Sequence, residues 1–137
     1  MITSTYLEHD KEKYLRLLQR NFKTIAEHDL QLEILDKGEI LNIPKGGTIM
    51  NYGHYIRTIP LVLDGVIKVS RENKDGQELF LHYLKAGNTC SITLTCCRID
   101  KKSILKSVAE TDVILIAVPV DTMETWTSKY PSWKNFT

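Results

Sequence analysis

The chain has no apolar run approaching the roughly 18 residues of a membrane-spanning helix. The stretch Leu61 to Val69 comes nearest, and Asp64-Gly65 and Lys68 interrupt it. Charge of one sign is also lacking. Eighteen Lys and Arg face 17 Asp and Glu, for a formal net charge of +1, which provides no electrostatic footprint for nucleic acid. Any DNA reader is therefore expected outside this chain. Cysteine is scarce, with three residues, of which Cys96 and Cys97 are adjacent. An odd count with an adjacent pair argues against a secreted disulfide framework and for a reducing compartment, the cytoplasm. Met1 to Asp10 is mixed polar without an apolar core, so it does not read as a signal peptide. No H-x-H pair followed by Glu is present, nor a Ser/His/Asp order, nor paired carboxylates in a pocket-forming stretch. No catalytic residue is assigned, and a metal-dependent cupin-like enzyme is disfavoured.

What is present suits one soluble domain. The 137 residues are 42% hydrophobic and 26% charged, enough to bury a core without disulfides. Asp10 to Phe22 has helical spacing of Tyr14, Leu15, Leu18 and Phe22, and Asp10 is placed to cap its first turn. Thr24-Ile25-Ala26-Glu27 fits a capping box that would start a second helix carrying Leu30, Ile34 and Leu35 and ending near Gly38. After Gly38 the period changes. Ile40–Ile43, Thr48–Met50, Ile59–Leu63, Val66–Ser70, Glu78–Leu84, Ser103–Ala109 and Val113–Val118 read as strands, punctuated by Pro44-Lys45-Gly46-Gly47, Asp64-Gly65 and Lys74-Asp75-Gly76. Short, closely spaced strands predict an antiparallel roll or barrel. Pro119 ends the last strand, Asp121–Lys129 reads as a short helix, and Ser132–Thr137 reads as the first turn of another. A helix that short is marginal alone, and Trp126, Trp133 and Phe136 would give it an apolar face with little to cover. The reading is therefore a chain cut near the start of a longer helix; the alternative is an end docked on the roll.

The residues IPKGGTIMNYG, IPLVLDGVIKVSRENKDGQELFLHYLKAG and AETDVILIAVP resemble the cyclic-nucleotide-binding-type sensor domain of Crp/Fnr transcription regulators. The resemblance covers nearly the whole chain and is most specific at Gly46-Gly47, Gly65, Gly76 and Gly87, each where that roll makes a tight turn. It implies a mainly β fold with flanking α-helices. The core would be an antiparallel β-roll of the double-stranded β-helix or jelly-roll kind. A single domain would span 1–137, with N-terminal helices over 1–39, the roll over 40–119, and over 120–137 a short helix and the start of a dimerisation helix. It further implies a homodimer in the full-length protein and a C-terminal helix-turn-helix domain that this chain does not contain.

Nucleotide-binding members of that family carry a phosphate cassette after the glycine matching Gly87. The resemblance places its Gly-Glu pair at Ser91-Ile92 and its Arg with a following small residue at Ser103-Ile104. Isoleucine cannot accept a hydrogen bond from a ribose hydroxyl, and no guanidinium stands at position 103 to pair with a cyclic phosphate. Cyclic AMP is therefore disfavoured, and no cofactor is assigned. The candidate ligand pocket comprises Tyr83, Cys90, Ser91, Ile92, Thr93, Leu94, Ser103 and Ile104, with hydroxyls and apolar walls suited to a small neutral or weakly acidic metabolite, or to no ligand at all.

Cys90, Cys96 and Cys97 have poor spacing for zinc, and the iron–sulfur members of the family need four cysteines. No metal site is expected. Packing is the plain reading of the thiols; a redox role is the alternative, because Lys101 and Lys102 could lower a thiol pKa. His82 is read as a core-facing polar group, and Lys101, Lys102 and Lys106 as a solvated face. The reading is a ligand-sensing domain of a bacterial Crp/Fnr-like regulator with a degenerate pocket and an unknown effector. The alternative is a free-standing small-molecule or protein-binding module that never touches DNA.

Overall fold

The computed structural model describes residues 4–88 and 104–136. Among these residues two helices, α1 (Ser4–Asn21) and α2 (His28–Lys37), precede seven strands: β1 (Glu39–Ile43), β2 (Thr48–Met50), β3 (Thr58–Asp64), β4 (Val66–Glu72), β5 (Glu78–Lys85), β6 (Leu105–Ala109) and β7 (Val113–Pro119). Helices α3 (Thr122–Lys129) and α4 (Pro131–Phe136) follow. The strands form a three-stranded sheet, β1-β7-β3, and a four-stranded sheet, β2-β6-β4-β5, and every pairing is antiparallel.

The three-stranded sheet is covered on both faces, which explains why β3 and β7 are continuous apolar runs instead of alternating ones. Ile59, Leu61 and Leu63 of β3, with Ile116 and Val118 of β7, pack against Leu18, Leu30, Ile34 and Trp126 of the helices. The intervening residues Val62, Val113, Leu115 and Ala117 face the other way, onto Ile67, Val69, Leu84, Leu105 and Ala109 of the four-stranded sheet. One sheet thus serves two cores, the helical layer and the roll interior. Pro60 stands in an edge strand, where its missing N–H is tolerated.

The strands match the sequence reading within a residue or two. The helices differ more. α1 begins at Ser4, so Asp10 lies inside the helix and is not its cap. Thr24 to Glu27 is not helical; Glu27 occupies the N-cap position of α2 with extended backbone, and its side chain makes no bond to that helix. The carboxylate is engaged elsewhere, with Ser132. Asp121 precedes α3 without a side-chain capping bond. Gly38 ends α2 at φ −80, not in a left-handed turn. A methyl there would meet Ile116 Cγ2 at 2.4 Å and Ile34 O at 2.6 Å, so close helix–strand contact fixes the residue. Gly46, Gly65, Gly76 and Gly87 do have positive φ, and Gly47 does not join them.

The expectation that Trp126 and Trp133 would lack cover is overturned. They are 2% and 0% exposed, stacked edge-to-face at 5.1 Å within the cluster formed by α1, α2, β3 and β7. The N-terminal helices cover them. No described helix is long and apolar enough to cross a membrane.

Candidate functional site: the roll interior

Antiparallel partners directly opposite one another point to the same face of a sheet. Val69 pairs with His82 on one side and with Ser107 on the other, and Val69 belongs to the roll core. His82 and Ser107 therefore both face the interior, flanking Val69. Ile67, Leu84 and Ala109 form the next row. Val62, Leu115 and Ala117 supply the opposite wall. Ser107 is 8% exposed, and His82 is half-buried. Among the described residues the roll interior is thus apolar, and the His82 imidazole and the Ser107 hydroxyl are groups there that can donate and accept hydrogen bonds.

The described residues also fix where the predicted pocket segment begins. The Gly87 N–H donates to Val62 O at 3.0 Å, and the Val62 N–H donates to Asn88 O at 3.3 Å. Asn21 at the end of α1 donates from Nδ2 to Leu63 O at 3.0 Å. The turn after β5 is held between the edge of β3 and the end of α1. Cys90, Ser91, Ile92, Thr93, Leu94 and Ser103, the thiols Cys96 and Cys97, and Lys101 and Lys102 lie outside the described residues. Tyr83 and Ile104 are described, and both are exposed, at 46% and 58%. Tyr83 pairs with Lys68 on the outer face of the sheet, away from the chamber.

A bulge explains that outer face. Val69 pairs with His82 and Ser70 with Phe80, leaving Leu81 as the extra residue. Phe80 and Tyr83 consequently share a face despite being three apart, with ring centroids 4.8 Å from each other. Lys106 lies on the same side and pairs with Glu78 at 3.6 Å, a partly exposed pair of little energetic weight. Tyr52 lies near Ser70 there. Its hydroxyl is buried beside Ser70 and Glu78 without reaching hydrogen-bonding geometry. Burial, then the Glu78 and Glu72 carboxylates, hold its pKa above the usual tyrosine value.

Asp112 and Glu110 are exposed in the turn before β7, and Asp112 Oδ1 accepts the Lys45 N–H at 2.9 Å. Among the described residues no group of three or more His, Cys, Asp or Glu is placed to hold a metal ion. Sequence reasoning had already turned His82 inward but missed Ser107. The signal was there: Leu105, Ser107 and Ala109 are the buried positions of an alternating strand.

No family model matches this chain, and no curated protein matches it by sequence. Solved structures do. The sensor domain of the transcriptional regulator DNR from Pseudomonas aeruginosa superposes with a TM-score of 0.74 at 18% identity, over 92% of this chain and 84% of that one. The fold is that of a cyclic-nucleotide-binding-type domain. Thermus thermophilus catabolite activator protein matches with a TM-score of 0.68 at 20% identity, over 80% of this chain and 51% of that one. A regulatory subunit of a cAMP-independent protein kinase A from Trypanosoma brucei matches with a TM-score of 0.72 at 18% identity, over 95% of this chain and 51% of its own. The chain spans about half the length of these two longer proteins. The likeness to Crp/Fnr-type sensor domains holds at the level of fold, and identities this low carry nothing finer.

Proposed function

We propose that this chain is a ligand-sensing regulatory domain of the Crp/Fnr type, acting in the cytoplasm as one domain over 1–137, without catalytic activity of its own. The observation that carries the reading is the shared sheet. β3 and β7 present Val62, Leu115 and Ala117 to the roll interior and Leu61, Ile116 and Val118 to the helices. A molecule seated beside His82 and Ser107 presses on a wall whose far side holds α1 to α4. Such a molecule shifts the population of helix arrangements by its differential affinity for them. In this reading the helix that starts near Ser132 continues into a homodimer contact, and DNA is reached only through a further C-terminal domain.

The effector in this reading is a small neutral or weakly acidic molecule that uses the imidazole and the hydroxyl, lined by the segment from Cys90 to Ile104. In this reading cyclic AMP is not it, because the family resemblance matches Ile92 and Ser103 to the acid and the arginine that would bind ribose and phosphate. Isothermal calorimetry with cyclic AMP at up to about 1 mM is expected to give no saturable heat. Saturable micromolar binding would overturn the degenerate-pocket reading.

A second reading, a small-molecule or protein-binding module that never touches DNA, is favoured by one observation: the same fold occurs in a regulatory subunit of a cAMP-independent protein kinase A. The coding sequence after Thr137 separates the two. A helix-turn-helix there supports the first, and a kinase-docking or second roll domain supports the other.

A further inference from the structure

Helix α2 holds the joint between α3 and α4 through two carboxylates. Glu27 Oε1 accepts the Ser132 N–H at 3.1 Å, and its Oε2 accepts the Ser132 hydroxyl. Six residues further along, Glu33 accepts the Tyr130 hydroxyl and faces the Lys129 ammonium at 3.7 Å. Ser132 and Tyr130 are 8% and 6% exposed. Glu27 sits at the N-cap position of α2, where its backbone oxygen accepts the Gln31 N–H at 3.1 Å, but its side chain makes no capping bond and is turned to the joint instead. A glutamate has the reach for this where the usual short capping residues do not.

We propose that Glu27 and Glu33 form a latch on the Lys129–Ser132 joint, and that opening this latch frees α4 to change direction. The apolar contacts of Trp126 and Trp133 with Leu30 and Ile34 hold α4 close, but burial is not directional. Charge-assisted hydrogen bonds are directional, and the Ser132 pair fixes the angle at which the chain leaves Tyr130. α2 also packs on the outer face of β7, whose inner face lines the roll chamber. A displacement of β7 therefore moves both carboxylates relative to the joint. As a regulatory device the latch rests on the sensor reading above; as a mechanical one it stands without it.

The test is amide hydrogen exchange by NMR on the chain without any ligand. Glu27→Ala and Ser132→Ala are each expected to speed exchange at Ser132, Trp133 and Lys134 by about tenfold, the scale of one lost charge-assisted hydrogen bond. Amides of β3 and β7 should be unchanged. The double variant should match Glu27→Ala, which removes both bonds, since Ser132→Ala removes only the hydroxyl's bond and keeps the N–H at position 132. Glu27→Gln, which keeps an acceptor, should restore part of the protection. Unchanged exchange in α4, a uniform rise across all strands, or additive effects in the double variant would overturn the proposal. Because no ligand enters the measurement, a roll chamber that binds nothing leaves this result intact.

Discussion

Gly87 stands at φ +90, and a methyl on it would lie 2.6 Å from the Asn21 carbonyl oxygen. Both the conformation and the space exclude a side chain. Gly87→Ala is expected to cost roughly 2–4 kcal/mol, combining left-handed strain with a backbone clash. Urea denaturation should show the loss, and an unchanged midpoint would contradict the account of this turn. A second residue-scale prediction concerns alkali. The Glu33 hydrogen bond, then burial, raises the Tyr130 pKa. The Tyr130 hydroxyl, then the Glu33 charge, raises that of Lys129, whose ammonium also lies 5.1 Å from the Tyr130 ring centroid. Both groups hold their protons more tightly folded than unfolded. Their stabilisation is therefore complete below their ordinary values near ~10 and is lost as pH rises through the raised folded values. Stability measured from about pH 8 to about pH 11 should fall more steeply in the wild type than in Tyr130→Phe. At this scale the sequence was partly legible. Alternation in β6 marks Ser107 as inward, and alternation in β5 separates His82 and Leu84 from Tyr83. The bulge at Leu81, which sets Phe80 beside Tyr83, leaves no such mark.

The strands were legible because their ends carry turn chemistry. Asp64-Gly65 and Asp75-Gly76 bound β3, β4 and β5 closely. Helix starts were not legible, for a physical reason. Caps were expected at Asp10 and Thr24 because those residues make good local caps, yet α1 begins at Ser4, and Glu27 spends its carboxylate on Ser132, 105 residues away. Long-range partners leave no local signal. The tryptophans of α3 and α4 show the same limit. From the sequence they form an uncovered face, whereas in the fold α1 and α2 supply the cover. Trp133→Ala should therefore cost roughly 3–5 kcal/mol, as for a large aromatic fully enclosed in a core. A cost near that of an exposed substitution, below about 0.5 kcal/mol, would show that α4 is not docked.

Among the described residues, the central feature is a sheet with two buried faces, one lining the roll interior and the other covered by helices α1 to α4. The fold resemblance was legible from glycine turns and strand order, while the segment holding most of the predicted pocket lies outside the described residues. The chamber's described polar groups, His82 and Ser107, are therefore the handles for testing it. The most direct measurement is a thermal-shift comparison of the wild type with His82→Leu/Ser107→Ala across a panel of small neutral and weakly acidic metabolites, with cyclic AMP as the comparator. The account predicts that at least one metabolite raises the wild-type melting temperature and fails to raise that of the variant, while cyclic AMP moves neither. Stabilisation by cyclic AMP, or a panel in which no compound distinguishes the two proteins, would contradict it.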